Sequence, residues 1–274
     1  MDKVIVITGA GGILCSDFAK YLAKKGAKVP LLDHNEVAAK AHADAIVADG
    51  GIAKAYKCNC LEKESIEACH EAILKDLGPC DILINGAGGN SPRCTTLHEE
   101  YEKGDENVDE FTTFFNLQEQ GFDFVFDLNM KGTLLPSQVF MKDMIGRSGC
   151  CVLNVSSMNA YRPLTKIPAY SAAKAAITNF TSWLAVHFAK ENIRVNAIAP
   201  GFFVTNQNRA LLFDENGNPT KRSEKILRST PMGRFGESHE LLGTVEWLLD
   251  ETKSGFVTGI TVPIDGGFSV YSGV

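Results

Sequence analysis

Short continuous apolar runs alternate with amphipathic stretches along nearly the whole chain. Val4 to Ile7, Val29 to Leu32, Ala53 to Cys58, Ile82 to Ile84, Cys151 to Val155, Arg194 to Ala199 and Ile260 to Val262 have the length and composition of buried strands. Apolar residues recur at helical spacing near 14 to 25, 36 to 49, 62 to 77, 122 to 146, 169 to 190 and 238 to 251. Strands that lack polar alternation are covered on both faces, and intervening helices supply the crossovers that parallel strands require. With right-handed crossovers, the prediction is an α/β fold: a doubly wound parallel sheet in three layers, α/β/α. No repeat or linker divides the chain, so residues 1–274 read as one domain. Two stretches break the alternation. An insertion is expected at about 94–121, and a turn-rich segment at about 202–237 is placed to act as a substrate lid.

Composition narrows the class. The 274 residues are 45% hydrophobic and 22% charged, with a formal net charge of −6, which excludes a disordered or collagen-like chain. Mild acidity argues against nucleic acid as a partner, and no apolar run approaches the ~20 residues of a membrane span. The opening residues Met1 to Thr8 run straight into a strand-like stretch, so a cytoplasmic location is expected. Eight scattered cysteines read as reduced, buried thiols, and neither they nor the six histidines stand at metal-ligand spacing, so no metal is expected. The charge is concentrated. Glu99 to Glu110 carries seven carboxylates against Lys103 alone, the equivalent of the chain's entire net charge. Such a run is ordinarily a solvated surface; its sharper reading is a lid or subunit contact beside a site.

The first strand is followed by Thr8-Gly9-Ala10-Gly11-Gly12-Ile13-Leu14-Cys15-Ser16. Glycines at a strand-to-helix turn let backbone approach a pyrophosphate, whose charge meets the amides at the helix start. Asp33 ends the second strand at the spacing of an acid that accepts from an adenosine ribose. Neither His34 nor Asn35 offers a cation for a 2′-phosphate, so the expected cofactor is NAD rather than NADP. Tyr170 and Lys174 are four apart and share a helix face, where a cationic amine favours the phenolate. Ser157 lies thirteen residues earlier, and Asn129 sits in the preceding helical stretch.

In this order the Thr8-Gly9 turn, Asp33, Asn85-Gly86-Ala87-Gly88, Asn129, Ser157, Tyr170 with Lys174, Pro200-Gly201 and Asp265-Gly266-Gly267 resemble the short-chain dehydrogenase/reductase family over nearly all of the chain. The resemblance implies that Tyr170 is the general acid or base and that Ser157 stabilises the substrate oxygen. It also implies that Lys174 lowers the tyrosine pKa and binds a ribose, and that Asn129 holds a water in the proton relay. Cofactor contacts are expected from Gly9, Gly12, Ile13, Leu14, Asp33, Asn59, Cys60, Asn85, Gly86, Ala87, Pro200, Gly201, Phe203 and Thr205. A homotetramer built on the stretches around 122 to 146 and 169 to 190 is expected on the same ground.

Two departures stand out. In ungapped register the last two glycines of the family turn are Ile13 and Cys15, and the acid after the third strand is Asn59. Closer likeness, in runs such as Ser156-Ser157-Met158-Asn159-Ala160 and Pro231-Met232-Gly233-Arg234-Phe235-Gly236, is to the D-mannonate oxidoreductase branch of the family. That implies NAD-dependent interconversion of D-fructuronate and D-mannonate, a gluconate or polyol dehydrogenase being the alternative and a non-catalytic NAD-binding regulator the distant one. A polar acid needs a cation and several hydrogen-bonding partners. Asn90, Arg93, Asn159, Arg162, Lys166, Asn208 and Arg209 are the candidates, with Arg209 and Lys166 foremost for the carboxylate.

Overall fold

The computed structural model describes residues 2–110, 112–205 and 209–273. Seven parallel strands run β1 (Ile5–Thr8), β2 (Lys28–Asp33), β3 (Ile52–Lys57), β4 (Ile82–Asn85), β5 (Cys151–Val155), β6 (Arg194–Pro200) and β7 (Thr261–Ile264). Their spatial order is β3-β2-β1-β4-β5-β6-β7. The chain therefore winds one way from β1 to β3 and then starts again on the other side of β1. The crevice at the carboxyl ends of β1 and β4 is the reversal point at which such sheets bind ligands.

Helices cover both faces: α1 (Ile13–Lys24), α2 (Glu36–Ala48), α3 (Lys63–Asp76), α4 (Glu119–Phe126), α5 (Gly132–Phe140), α6 (Pro168–His187), α7 (Arg209–Leu212), α8 (Lys221–Arg228), α9 (Leu242–Leu249) and α10 (Glu251–Ser254). Alternate residues of β1 feed two cores. Ile5 and Ile7 pack with Phe18 and Leu22 of α1 and Leu248 of α9, while Val6, with Val4 just before the strand, joins Ile66 and Ile73 of α3, Phe140 of α5 and Leu184 of α6. Each such fully buried side chain contributes about 1.5–3 kcal/mol, which explains why these strands show no polar alternation. All eight cysteines are buried and free. Among the described residues, no helix is long and apolar enough to cross a membrane.

The stretch 122 to 146 is not one helix. Between α4 and α5 lies a π-helical turn, Asp127–Lys131, and α5 passes into a 3-10 turn at Met141–Met144. Pro136, inside α5, lacks the N–H that a regular ladder needs there. Likewise 238 to 251 divides into a 3-10 turn at Ser238–Leu241, then α9 and α10, the last capped by the Asp250 carboxylate on the Thr252 N–H.

Candidate active site

β1 and β4 end in register, Thr8 opposite Asn85, so the two glycine-containing turns meet. The Thr8 hydroxyl accepts from the Gly86 and Ala87 N–H groups at 3.1 and 3.3 Å. Gly9 adopts φ +66°, and a Cβ there would stand 2.8 Å from the Gly86 and Ala87 backbone, so both its conformation and its crowding demand glycine. Gly12 precedes the first turn of α1, which has no side-chain cap and no acidic residue. The amides around Ile13 and Leu14 thus open toward the crevice with their partial positive charge uncancelled.

Asp33 leaves β2 beside this turn. Its Oδ2 accepts from the Gly11 N–H and its Oδ1 from the Asn35 N–H, each at 2.8 Å, which fixes the carboxylate while leaving lone pairs for hydroxyls. The irregular glycine spacing has a structural counterpart. Cys15, where the family pattern has glycine, is buried, and its Sγ lies 2.1 Å from where a Cβ on Gly86 would stand. The thiol occupies the space that Gly86 vacates. Burial pushes that thiol up to about 12, so it stays neutral.

Tyr170 and Lys174 share one face of α6, with the Lys174 amine 5.6 Å from the Tyr170 ring centroid. Ser157 caps the turn after β5 by accepting from the Asn159 N–H at 3.2 Å, and its side chain stands near enough to the Tyr170 phenol to favour its ionised form. The electrostatics differ from the sequence expectation. Burial raises the Tyr170 phenol above its ordinary value, only partly offset by Ser157. Desolvation lowers Lys174 from 10.5 to about 8. The amine donates to the Val155 carbonyl at 2.8 Å, so its charge is partly spent on backbone rather than on the phenol.

Asn129 stands in the π-helical turn, fully buried. Its two amide hydrogens go to Gly89 O at 2.7 Å and Val125 O at 2.8 Å, while its Oδ1 accepts from the Gly89 N–H at 3.3 Å. The side chain is therefore a brace between the β4 loop and α4, with only Oδ1 capacity left for a water. A Cβ on Gly88 would lie 2.7 Å from that Oδ1 and 3.1 Å from the Lys174 amine, so Gly88 lets the two approach.

Several other predicted site residues sit differently from expectation. The Asn85 side chain turns into the protein, donating to Ser137 Oγ at 3.0 Å and Asn154 Oδ1 at 2.9 Å, so only its backbone faces the crevice. Asn154 continues to Thr181 at 2.9 Å. This buried polar ladder behind the site was not singled out in the sequence, because Ser137, Asn154 and Thr181 come from three separate elements. Asn59 closes its own turn onto the Leu61 N–H, with buried Cys60 beside it. Pro200 ends β6, and Gly201 donates to Ile264 O at 2.9 Å; Phe203 is buried against Gly236, and Thr205 O accepts from the Arg209 N–H at 2.9 Å.

Among the substrate candidates, Asn159 is buried beside Ser157, and its Oδ1 has no partner among the described residues. The Asn90 amide donates to Thr95 at 3.0 Å, and Arg93 is exposed. Lys166 accepts at its backbone from the Thr96 N–H at 2.9 Å, which fastens the insertion to the loop before α6. Arg209 is exposed over the Phe213 ring at 5.5 Å. Arg162 is committed elsewhere, donating to the Phe268 and Tyr271 carbonyls, so it ties down the C-terminal segment instead of offering a free cation. Asn208 lies outside the described residues. A cavity of about 570 Å³ opens at the ends of β6 and β7, lined in part by Phe202, Phe203, Met232, Asp265 and Gly266; Ser157 and Tyr170 do not line it.

Residues 3–216 match the family model described as short chain dehydrogenase. The chain is 59% identical over 274 residues to an uncharacterised oxidoreductase of Haemophilus influenzae, covering 100% of this chain and 95% of that protein. It is 31% identical over 268 residues to the 5-keto-D-gluconate 5-reductase of Escherichia coli K12, covering 98% and 96%. A crystal structure with bound NAD, from Haemophilus influenza, superposes with TM-score 0.94 at 59% identity, covering 99% and 96%; its name proposes a D-mannonate oxidoreductase.

Proposed function

This chain belongs to the short-chain dehydrogenase family, and from that premise we propose that it is an NAD-dependent oxidoreductase interconverting D-fructuronate and D-mannonate. The observation that carries the reading is the meeting of Ser157, Tyr170 and Lys174 beside a crevice that fits a dinucleotide. The fit rests on the uncapped first turn of α1, the left-handed Gly9 and the fixed Asp33 carboxylate. That carboxylate, with His34 and Asn35 next to it, would repel a 2′-phosphate and accept from ribose hydroxyls, which favours NAD. Gly9, Gly12, Ile13 and Leu14 would hold the pyrophosphate, Lys174 the nicotinamide ribose, and Pro200, Gly201, Phe203 and Thr205 the nicotinamide end.

When bound, NADH supplies the hydride for a ketone carbon. The protein's own part is the oxygen. Ser157 donates a hydrogen bond to it, and Tyr170 transfers its phenolic proton as negative charge develops there; in the oxidising direction Tyr170 takes that proton back. A phenol raised by burial is a poor resting base, so the lysine amine beside it and the bound substrate oxygen must together lower the cost of the phenolate. Asn159, whose Oδ1 has no partner among the described residues, would accept from a substrate hydroxyl.

NADH oxidation with D-fructuronate tests the reading. Turnover should fall by about 100-fold or more in Tyr170→Phe while NAD binding persists; full turnover in that variant sinks the assigned chemistry. The 5-keto-D-gluconate reductase relative supports a second substrate, so 5-keto-D-gluconate belongs in the same panel. We also propose a cytoplasmic homotetramer using the α6 face that exposes Trp183 and Val186, to be checked by sedimentation.

A further inference from the structure

The polar stripe of α6 does not end at Lys174. Tyr170, Lys174, Thr178 and Thr181 follow one another at helical spacing and share one face of the helix. Asn154 and Val155 of β5, with Ser156 just after the strand, all meet that face. Asn154 Nδ2 donates to Thr181 Oγ1 at 2.9 Å, the Val155 carbonyl accepts from the Lys174 amine at 2.8 Å, and the Ser156 hydroxyl donates to the Lys174 carbonyl at 3.0 Å. Ser156 Oγ also lies 2.9 Å from Thr178 Oγ1. Because the serine hydrogen goes to the Lys174 carbonyl, Thr178 is the donor in that contact. Asn154 and Ser156 are two apart, so their side chains leave the same face of the chain, and Ser157 is the next residue.

These bonds lie inside the protein, with Asn154, Ser156 and Thr181 all buried. The layer around them is otherwise apolar, with Val152, Leu184 and Val195 in one core cluster. A buried hydroxyl costs free energy unless it is bonded, so packing alone does not call for a polar stripe here. What the hydrogen bonds add is direction: apolar side chains still pack after a small slip, whereas a hydrogen bond weakens steeply once it is displaced. Two points of attachment, one at Thr181 and one at Lys174 with Thr178, fix both the height of α6 along β5 and its rotation. A single point would leave one of them free. On its other side Asn154 accepts from Asn85, which donates to Ser137; the Ser137 hydroxyl donates to Thr133 O at 2.7 Å and the Thr133 hydroxyl to Asn129 O at 2.8 Å. The same ladder thus ends on the π-helical turn.

We infer that Asn154, Ser156 and Thr178 are positioning residues that lock α6 to β5 in the register at which Tyr170 and Lys174 face a substrate oxygen beside Ser157. This rests on the oxidoreductase reading above and deepens it. Their effect passes through the Lys174 carbonyl and the threonine hydroxyls of α6. Proton transfer demands close approach, and a misplacement of about 1 Å costs about 100-fold in rate. Loosening α6 therefore lowers turnover more than affinity for NADH, whose proposed contacts lie mainly at the ends of β1, β2 and β4. The same register keeps the Lys174 amine in its desolvated seat on Val155. A slipped helix would let water reach that amine and return it toward an ordinary lysine.

The test compares Ser156→Ala, Thr178→Val and Thr178→Ser in the full chain, with NADH and either D-fructuronate or 5-keto-D-gluconate. In Ser156→Ala and Thr178→Val, kcat should fall about tenfold with KM for NADH held within about twofold, while Thr178→Ser, which keeps the hydroxyl, should stay near wild type. A second readout needs no substrate. Isotope-labelled lysine, followed by NMR and assigned with Lys174→Met, gives the titration midpoint of Lys174, near 8 in the wild type. In Ser156→Ala and Thr178→Val that midpoint should move toward 10.5, by about threefold or more in proton affinity. Thr178 is only partly buried, so Thr178→Val carries the test if Ser156→Ala fails to fold. Wild-type kcat in Thr178→Val, an equal loss in Thr178→Ser, or an unmoved Lys174 midpoint overturns the proposal. If neither keto acid is turned over, the substrate reading fails and the Lys174 midpoint alone decides the positioning role.

Discussion

A buried lysine whose amine is lowered to about 8 should leave a signature in stability that no structural lysine would leave. In the unfolded chain Lys174 titrates near 10.5; in the folded one desolvation brings it to about 8. Below about pH 8 both states are charged and the folded protein bears the full cost of burying the ammonium. Between those values the unfolded state binds the extra proton, so stability rises with pH. The gap corresponds to a limit of about 3 kcal/mol, of which about 2 kcal/mol accrues between about pH 7 and about pH 9.5. The perturbation is Lys174→Met, which keeps the length and removes the titration. Urea unfolding of both proteins at the two pH values gives the contrast. Buried thiols such as Cys151, raised to about 12, oppose this: unfolded thiols ionise near 9 while folded ones do not, so they cost stability in alkali. They are common to both proteins and cancel in the difference. Relative to Lys174→Met, the wild type should gain about 2 kcal/mol on going to about pH 9.5. A pH-independent difference would refute the claim that burial controls this amine.

Three further outcomes follow from the geometry. Gly86→Ala places a Cβ 2.1 Å from Cys15 Sγ and 2.8 Å from Thr8 O. It should destabilise by about 1–3 kcal/mol in thermal melts, with part regained in Cys15→Ala/Gly86→Ala because only the thiol overlap is relieved; strict additivity would show that the two do not touch. Asn129→Ala strands Gly89 O and Val125 O, and should cost about 1–3 kcal/mol and speed amide exchange at Gly89, whereas an unchanged exchange rate would remove the bracing role. Asp33→Ser removes the charge that faces a 2′-phosphate, so the ratio of NADPH to NADH turnover should rise by about tenfold or more; an unaltered ratio places cofactor choice elsewhere.

The architecture was legible because it is written in local pattern. The seven strands lie within a residue or two of the runs that predict them; the five inner ones are buried on both faces and have no freedom to be polar, whereas β3, at a sheet edge, carries exposed lysines. Where the sequence pattern erred, a local exception intervened: Pro136 and the π-helical turn at Asn129 divide what reads as one long helix. The chemistry-bearing residues were legible as well, because Tyr170 and Lys174 fall on one helical face by spacing alone.

The sequence by itself therefore determined the element order, the buried faces and the candidate groups that gather beside the crevice. Only the tertiary structure decided what those groups are attached to and how they are charged. That Cys15 fills the gap left by Gly86, that Asn85 looks inward to Asn154, that Asn129 spends its amide on Gly89, and that Glu99 crosses to Lys225 are contacts between residues 40 to 126 positions apart. The physical reason is desolvation and range: periodicity reports which side of an element is buried, whereas a hydrogen bond or a pKa depends on which distant atoms burial brings within a few ångströms.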